Sequence, residues 1–222
     1  MAIHRPNLKV VLLLIVSTAL FLGLAAWGWG GWTGLLAHPA RAGACLLMVL
    51  STIAVVFTDA NVSGFKRKDA HGRWVIARAV LVFLAFAYLP AYADRSDVWT
   101  LDGNVVRYVG LTLLSVGIVF RVGPIFVLGR RFTWPLASQE EHRLVTTGFY
   151  RFIRHPSYLG ALLGTVEWVL VFRSGIGLLL TVLLIAMLVI VIRAEESLLL
   201  SEFGEEYAAY QRRTWRLLPF LF

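Results

Sequence analysis

A single cysteine, Cys45, leaves nothing for an internal disulfide framework and too few thiolates for a cysteine-built zinc or iron–sulfur site. Charge is scarce as well. Of 222 residues, 15% are charged and 59% apolar. Soluble domains carry about 25% charged and roughly 45–50% apolar residues, so a water-soluble globule and a disordered chain are both excluded. No Gly-x-Gly-x-x-Gly follows a strand, no phosphate-binding loop is present, and no His-Glu-x-x-His occurs. Gly175-Ile176-Gly177 reads as a helix start, not a dinucleotide fingerprint. His4, His38, His71 and His142 match no metal spacing, so no metal is expected. A Gly-x-Ser-x-Gly elbow is missing too, as is any repeat or low-complexity tract. The charge that exists is unbalanced, with 21 Lys and Arg against 13 Asp and Glu. Its basic stretches lack the interleaved aromatics of nucleic-acid binders, so no nucleic acid is expected. In so apolar a chain the excess reads as cytoplasmic loops facing anionic lipid.

What remains is an all-α polytopic membrane protein. A spanning helix needs about 20 apolar residues, and six stretches qualify or nearly do: 8–29, 40–57, 75–93, 105–128, 157–172 and 175–192. The first is too long for a signal h-region and lacks a small-residue cleavage site, so it reads as a retained helix. The last two are separated by so little that they predict a helical hairpin. Positive charge alternates along the connections. Arg5 and Lys9 precede the first helix; Lys66, Arg67, Lys68 and Arg73 follow the second; Arg130, Arg131, Arg143, Arg151 and Arg154 follow the fourth; Arg193, Arg212, Arg213 and Arg216 lie in the tail. The other connections hold only Arg41, then Arg95 among Asp94, Asp97 and Asp102, then Arg173. Six crossings with both termini cytoplasmic satisfy this pattern, in an inner or endoplasmic-reticulum membrane. Residues 1–128 form a four-helix part. Residues 129–222 add a loop, the hairpin and a tail helix to one integrated membrane domain. The Gly-rich stretch 27–34 reads as an interfacial turn.

Two polar clusters sit on the cytoplasmic side. In the first, Arg154-His155-Pro156-Ser157-Tyr158 opens the fifth helix, with Pro156 in the first turn where its missing N–H costs nothing. His155 and Tyr158 share a face, and a helix start beside Arg154 suits an anionic group. The same residues would equally serve as a headgroup-level anchor. In the second, Glu195-Glu196 follow the last apolar run, where adjacent carboxylates need water or partners. Leu199, Leu200, Phe203, Tyr207 and Tyr210 then recur at helical spacing opposite Glu202, Glu205 and Arg212, predicting one amphipathic helix. Two charges fall inside predicted spans, Arg121 and Glu167. Intramembrane charges mark function or interhelix contacts. Arg121 lies roughly 10 Å before the end of its helix and Glu167 about 18 Å beyond His155, and Gly123-Pro124 should kink the helix after Arg121.

Residues 128–219 resemble the isoprenylcysteine carboxyl methyltransferase family and its phospholipid methyltransferase relatives. The motifs are Leu128-Gly129-Arg130-Arg131-Phe132-Thr133, His142-Arg143-Leu144-Val145-Thr146-Thr147-Gly148-Phe149-Tyr150, Arg154-His155-Pro156-Ser157-Tyr158-Leu159-Gly160, Glu195-Glu196, and Phe203-Gly204-Glu205-Glu206-Tyr207 with Tyr210 and Pro219. Order and spacing both fit; Phe149 replaces the family's frequent proline, and the acidic run is shorter. The resemblance implies an integral membrane enzyme using S-adenosylmethionine, held at the cytoplasmic edge and covered by the C-terminal helix. It implies cofactor contacts at His155, Pro156 and Tyr158, at the backbone of Leu144, Val145 and Gly148, at Tyr150 and Tyr207, and at Glu195 or Glu196. Arg121 is the candidate for holding an anionic headgroup or carboxylate, Glu167 for taking a proton from a thiol or amine acceptor, and Arg154 for holding the cofactor's carboxylate. The acceptor would be lipophilic and enter from the lipid bilayer: a prenylated cysteine carboxylate, an aminophospholipid or a hydrophobic thiol. Two other readings stay open. A sterol-type membrane reductase would bind NADPH and could use Arg212, Arg213 and Arg216 for its 2′-phosphate. A non-catalytic scaffold would keep the fold with a blocked pocket.

Overall fold

The structure, a computed structural model, describes residues 8–56, 70–128 and 144–219. Among the described residues, eight helices follow one another: α1 Leu8–Trp29, α2 Trp32–Leu36, α3 Pro39–Val56, α4 Ala70–Ser96, α5 Val105–Leu128, α6 Pro156–Val171, α7 Gly175–Phe203 and α8 Glu205–Arg212. Among the described residues there is no β-strand, only two isolated bridges, Thr100 with Ser174 and Ile153 with Trp215. Three helices among the described residues are long and apolar enough to cross a membrane: Val11–Trp29, Pro39–Val56 and Gly175–Phe203. Val105–Phe120 and Pro156–Val171 are shorter apolar helices. Exposed side chains along the middle of the long helices are largely aliphatic, among them Leu13, Val16, Leu50, Leu81, Val119, Leu183 and Ile190, as a hydrocarbon environment requires.

Local sequence explains where the helices begin and end. Pro156 occupies the first turn of α6 after His155. Ser174 caps α7, its hydroxyl accepting from the Gly177 N–H at 3.0 Å. Gly204, at φ +53°, ends α7 and turns the chain into α8. This corrects the expected single amphipathic helix: the apolar repeat continues through Leu199, Leu200 and Phe203, but a left-handed glycine splits it into the end of α7 and a separate α8. It also corrects the extent of α7. Glu195 and Glu196 lie inside the helix rather than beyond it, because nothing before Gly204 breaks the hydrogen-bond ladder.

α6 packs most tightly on α5. A Cβ at Gly110 would stand 2.8 Å from the Glu167 carbonyl oxygen, and one at Gly117 2.5 Å from Glu167 Oε1. Small residues therefore bring the two backbones together. The main core lies between α1, α3, α4, α5 and α6, where Leu22, Ala25, Ala44, Cys45, Ala91, Leu114, Trp168 and Phe172 are buried. The Trp168 indole donates to the Phe86 carbonyl at 3.1 Å, as a buried indole N–H must.

A buried ionic cluster closes the end of the bundle where α1, α4 and α6 finish and α3, α5 and α7 begin, the far end. Arg107 donates to both oxygens of Asp94 at 2.6 Å. Arg41 reaches Asp94 Oδ2 at 3.3 Å, and Arg173 reaches Oδ1 at 3.0 Å. The guanidiniums also satisfy helix ends: Arg41 donates to the Gly34 and Leu35 carbonyls, and Arg107 to that of Val171. Arg41 and Arg173, counted as loop charges from sequence, are therefore largely withdrawn from the surface.

Candidate functional site

The opposite, near end holds the residues with chemistry. A 3₁₀ turn, Gly148–Arg151, leads through Phe152 and Ile153 to Arg154 and His155 at the start of α6. The segment after α8 runs alongside it. The Trp215 N–H donates to the Phe152 carbonyl at 3.0 Å, the Arg154 N–H to that of Trp215 at 2.8 Å, and the His155 N–H to that of Arg216 at 3.1 Å. The Tyr210 hydroxyl donates to the Tyr150 carbonyl at 2.6 Å. The C-terminal segment thus straps the helix start in place and brings α8 against the last turns of α7.

Glu196 is the centre. Arg154 Nε donates to its Oε1 at 2.8 Å, and Arg216 Nε to its Oε2 at 2.8 Å. His155 Nε2 stands 3.3 Å from Oε1. The other end of Arg154 is used up on the C-terminal segment, where Nη1 donates to the Gln211 carbonyl, the Thr214 carbonyl and the Thr214 hydroxyl. Burial alone would raise the Glu196 carboxyl, but the hydrogen bonds from His155, Arg216 and Arg154 outweigh it and push the pKa down to about 2. Glu196 is an ionised, fully engaged anchor.

Glu195 differs. Burial pushes its carboxyl up, opposed by the charge of His155 and a hydrogen bond from Tyr158. Its Oε2 is buried, stands 3.6 Å from His155 Nδ1, and has no hydrogen-bond partner among the described residues. The Tyr207 hydroxyl is likewise buried without a partner, in a side chain 1% exposed. Tyr150 is raised by burial and then by the neighbouring Glu195 charge, and Tyr207 by burial and the charge of Glu196. Buried polar atoms in native proteins are almost always paired. Two orphans in one cluster mark a place that a polar ligand completes. An acceptor on Glu195, a hydroxyl on Tyr207 and the ring of Tyr158 suit a ligand with an ammonium or hydroxyls and a flat base. That donor set fits S-adenosylmethionine.

Of the residues expected from sequence, Tyr150, Arg154, His155, Pro156, Tyr158, Glu195, Glu196 and Tyr207 come together here. Leu144 and Val145 lie half-buried in the coil before the 3₁₀ turn, and Gly148 starts that turn at the surface. Glu167 does not join them. It is wholly buried against Gly117 toward the other end of α6, with neither carboxylate oxygen hydrogen-bonded. The side chain of Arg121 and residues 129–143, with their first two motif segments through Arg143, lie outside the described residues. Arg216, Thr214 and Gln211 were not foreseen as members of the cluster; only the structure pairs a tail arginine with Glu196. The three tail arginines also disperse. Arg216 binds Glu196, Arg212 pairs with Glu205 at 2.7 Å, and Arg213 lies over the Tyr210 ring. They do not form the basic cluster a 2′-phosphate would need.

Comparison with known proteins identifies the family and the fold. The family model described as the isoprenylcysteine carboxyl methyltransferase family matches residues 109–201. A probable protein-S-isoprenylcysteine O-methyltransferase of Oryza sativa subsp. indica is 33% identical over 156 residues, covering 66% of this chain and 79% of that protein. Protein-S-isoprenylcysteine O-methyltransferase B of Arabidopsis thaliana is 34% identical over 121 residues, covering 50% of this chain and 58% of its own length. In fold, the chain is similar to the solved eukaryotic intramembrane Ras methyltransferase, isoprenylcysteine carboxyl methyltransferase. The TM-score is 0.58 at 22% identity, over 92% of this chain and 74% of that one.

Proposed function

The chain belongs to the isoprenylcysteine carboxyl methyltransferase family and is an integral membrane methyltransferase; from that premise we propose that it transfers a methyl group from S-adenosylmethionine to the carboxylate of a prenylated cysteine. The activity named for the two plant relatives favours this acceptor over an aminophospholipid or a hydrophobic thiol. The single observation that carries the cofactor assignment is the pair of orphaned polar atoms, Glu195 Oε2 and the Tyr207 hydroxyl, beside the ordered start of α6.

When bound, the cofactor supplies an electrophilic methyl on a sulfonium. The chain supplies the rest. Glu195 accepts from the cofactor's ammonium or ribose hydroxyls, the role that sequence left open between the two glutamates. Glu196 positions: it locks Arg154, His155 and Arg216 so that the pocket wall is set before the ligand arrives. Arg154 belongs to that wall, its guanidinium consumed by Glu196 and the C-terminal carbonyls, and it does not reach the acceptor. Tyr150, Tyr158 and Tyr207 line the pocket, with the backbone of Leu144, Val145 and Gly148 along its rim and Pro156 holding the helix start. A carboxylate acceptor is already a nucleophile, so in-line displacement needs alignment and exclusion of water rather than a general base. Arg121, on the last turns of α5, is the candidate for holding the acceptor's carboxylate. Glu167 serves the α5–α6 contact instead of the chemistry.

The topology belongs to the same proposal. α1, α3, α4, α5, α6 and α7 cross the bilayer six times as one integrated domain, with α6 and α7 as a hairpin through residues 172–174. Both termini and the near end face the cytoplasm. The acceptor's prenyl chain reaches the site from the lipid.

The decisive test is calorimetric titration of detergent-purified protein with S-adenosylhomocysteine and, separately, NADPH. Micromolar binding of S-adenosylhomocysteine that falls at least tenfold in Glu195→Gln, about 1.4 kcal/mol, and disappears in His155→Ala is expected. Binding of NADPH in its place would overturn the reading in favour of a reductase. In Glu195→Gln the unliganded protein should melt no lower than the parent at neutral pH, because the substitution removes a buried charge that lacks a full set of partners.

A further inference from the structure

At the far end, away from the cofactor pocket, the exposed side chains change in kind. Along the helices they are Leu, Val and Ile. Around the end of α1, through α2, the end of α4, the following loop and the start of α5, they include Trp27, Trp32, Tyr92, Trp99 and Tyr108, beside Leu36, Val98 and Val105. The loop is built to hold Trp99 outward. Trp99 and Asp97 sit at φ +51° and +50°, left-handed conformations that non-glycine residues avoid. They are held there by Gly175, whose N–H donates to the Trp99 carbonyl at 2.8 Å, and by Leu101, whose N–H donates to the Arg173 carbonyl at 2.7 Å. The Trp99 ring lies over Gly175, 3.3 Å from where a Cβ would stand, yet 65% of the residue stays exposed. Beneath it, the Asp94 cluster takes Arg41, Arg107 and Arg173 off the surface.

We infer that this aromatic ring is a lipid-headgroup anchor, with Trp99 at its centre, and that it sets the depth of the cofactor pocket. The inference rests on the membrane reading above. Trp and Tyr prefer the headgroup layer, where one edge is apolar and the other wet. α7 provides the ruler. It starts at Gly175, in contact with Trp99, and twenty residues later reaches Glu195. At 1.5 Å per residue this is about 30 Å, the thickness of the hydrocarbon core. With Trp99 at one boundary, Glu195 stands at the other, where a water-borne cofactor and a bilayer-borne acceptor meet.

The test uses the full chain in phosphatidylcholine vesicles. Its tryptophan fluorescence is compared with that of Trp99→Phe in lipids brominated at carbons 6 and 7, or at 11 and 12, and with aqueous iodide. The component lost in Trp99→Phe should be quenched at least twofold more by the shallow bromines than by the deep ones, and little by iodide. Strong iodide quenching with none from either bromolipid, or stronger quenching by the deep bromines, would overturn the anchor. Should Trp99→Phe fail to fold, a nitroxide on Val98→Cys in a Cys45→Ala background reads the same depth by power saturation. Binding of S-adenosylhomocysteine in the same vesicles reports the pocket separately. Its loss with shallow quenching intact would count against the cofactor site and not against the anchor.

Discussion

Asp94 and Glu196 each gather guanidinium groups at one end of the same bundle, but they are loaded differently. Asp94 faces Arg41, Arg107 and Arg173, and the donors these arginines do not spend on it go largely to backbone carbonyls at helix ends. Around it, Arg107 Nε is the buried atom left without a hydrogen-bond partner among the described residues. Glu196 takes Arg154, Arg216 and His155, yet the residue beside it, Glu195, keeps a buried oxygen without a hydrogen bond among the described residues, as does Tyr207. One cluster ties helices together. The other is rigid on one side and incomplete on the other, which is how a pre-organised binding site differs from a clamp.

That comparison breaks most severely at Asp94. Asp94→Ala leaves three arginines, two of them buried, without their shared counter-charge, and should cost about 3–5 kcal/mol of stability. Thermal unfolding in detergent reads the loss, and S-adenosylhomocysteine should still bind below the lowered melting temperature. A melting temperature unchanged from the parent would mean the cluster is no clamp. Acid sharpens the other side. Because its partners hold Glu196 at about 2, well below the ordinary carboxyl value, its stabilising contribution is complete above about pH 4.5. It fades as the pH falls toward 2, since the unfolded chain takes up the proton first. Glu196→Gln should be less stable than the parent at neutral pH and should lack that share of the acid loss, which melting curves across this range would show. The smallest effect is expected at Arg212, whose pair with Glu205 is exposed on both sides. Arg212→Ala should change stability by under about 1 kcal/mol and leave cofactor affinity unchanged, separating surface pairs from both buried clusters.

Much of the near end was legible. Arg154-His155-Pro156-Ser157-Tyr158 announces a helix start with polar residues on one face, because proline tolerates only the first turn. Glu195-Glu196 after a long apolar run predicts partners at the membrane edge. What sequence could not divide was the labour between the two glutamates. They are adjacent and identical in type, and in a helix they point in different directions. One meets Arg154 and Arg216 while the other turns toward Tyr158. Arg216 joins the site from sixty residues beyond the helix start through a backbone pairing that no local pattern encodes. The far-end cluster was read as loop charge for the same reason: Arg41, Asp94, Arg107 and Arg173 are far apart along the chain.

Composition and hydrophobic run length by themselves determined that this is a helical membrane protein, since a chain so apolar can satisfy its backbone in lipid only through helices or a closed barrel. Motif order determined the family and the neighbourhood of the site. Tertiary structure decided which charges are paired and which are left waiting. Pairing depends on where helices meet, and here glycines that let α5 and α6 close together, a left-handed Gly204 and a C-terminal strap set those meetings.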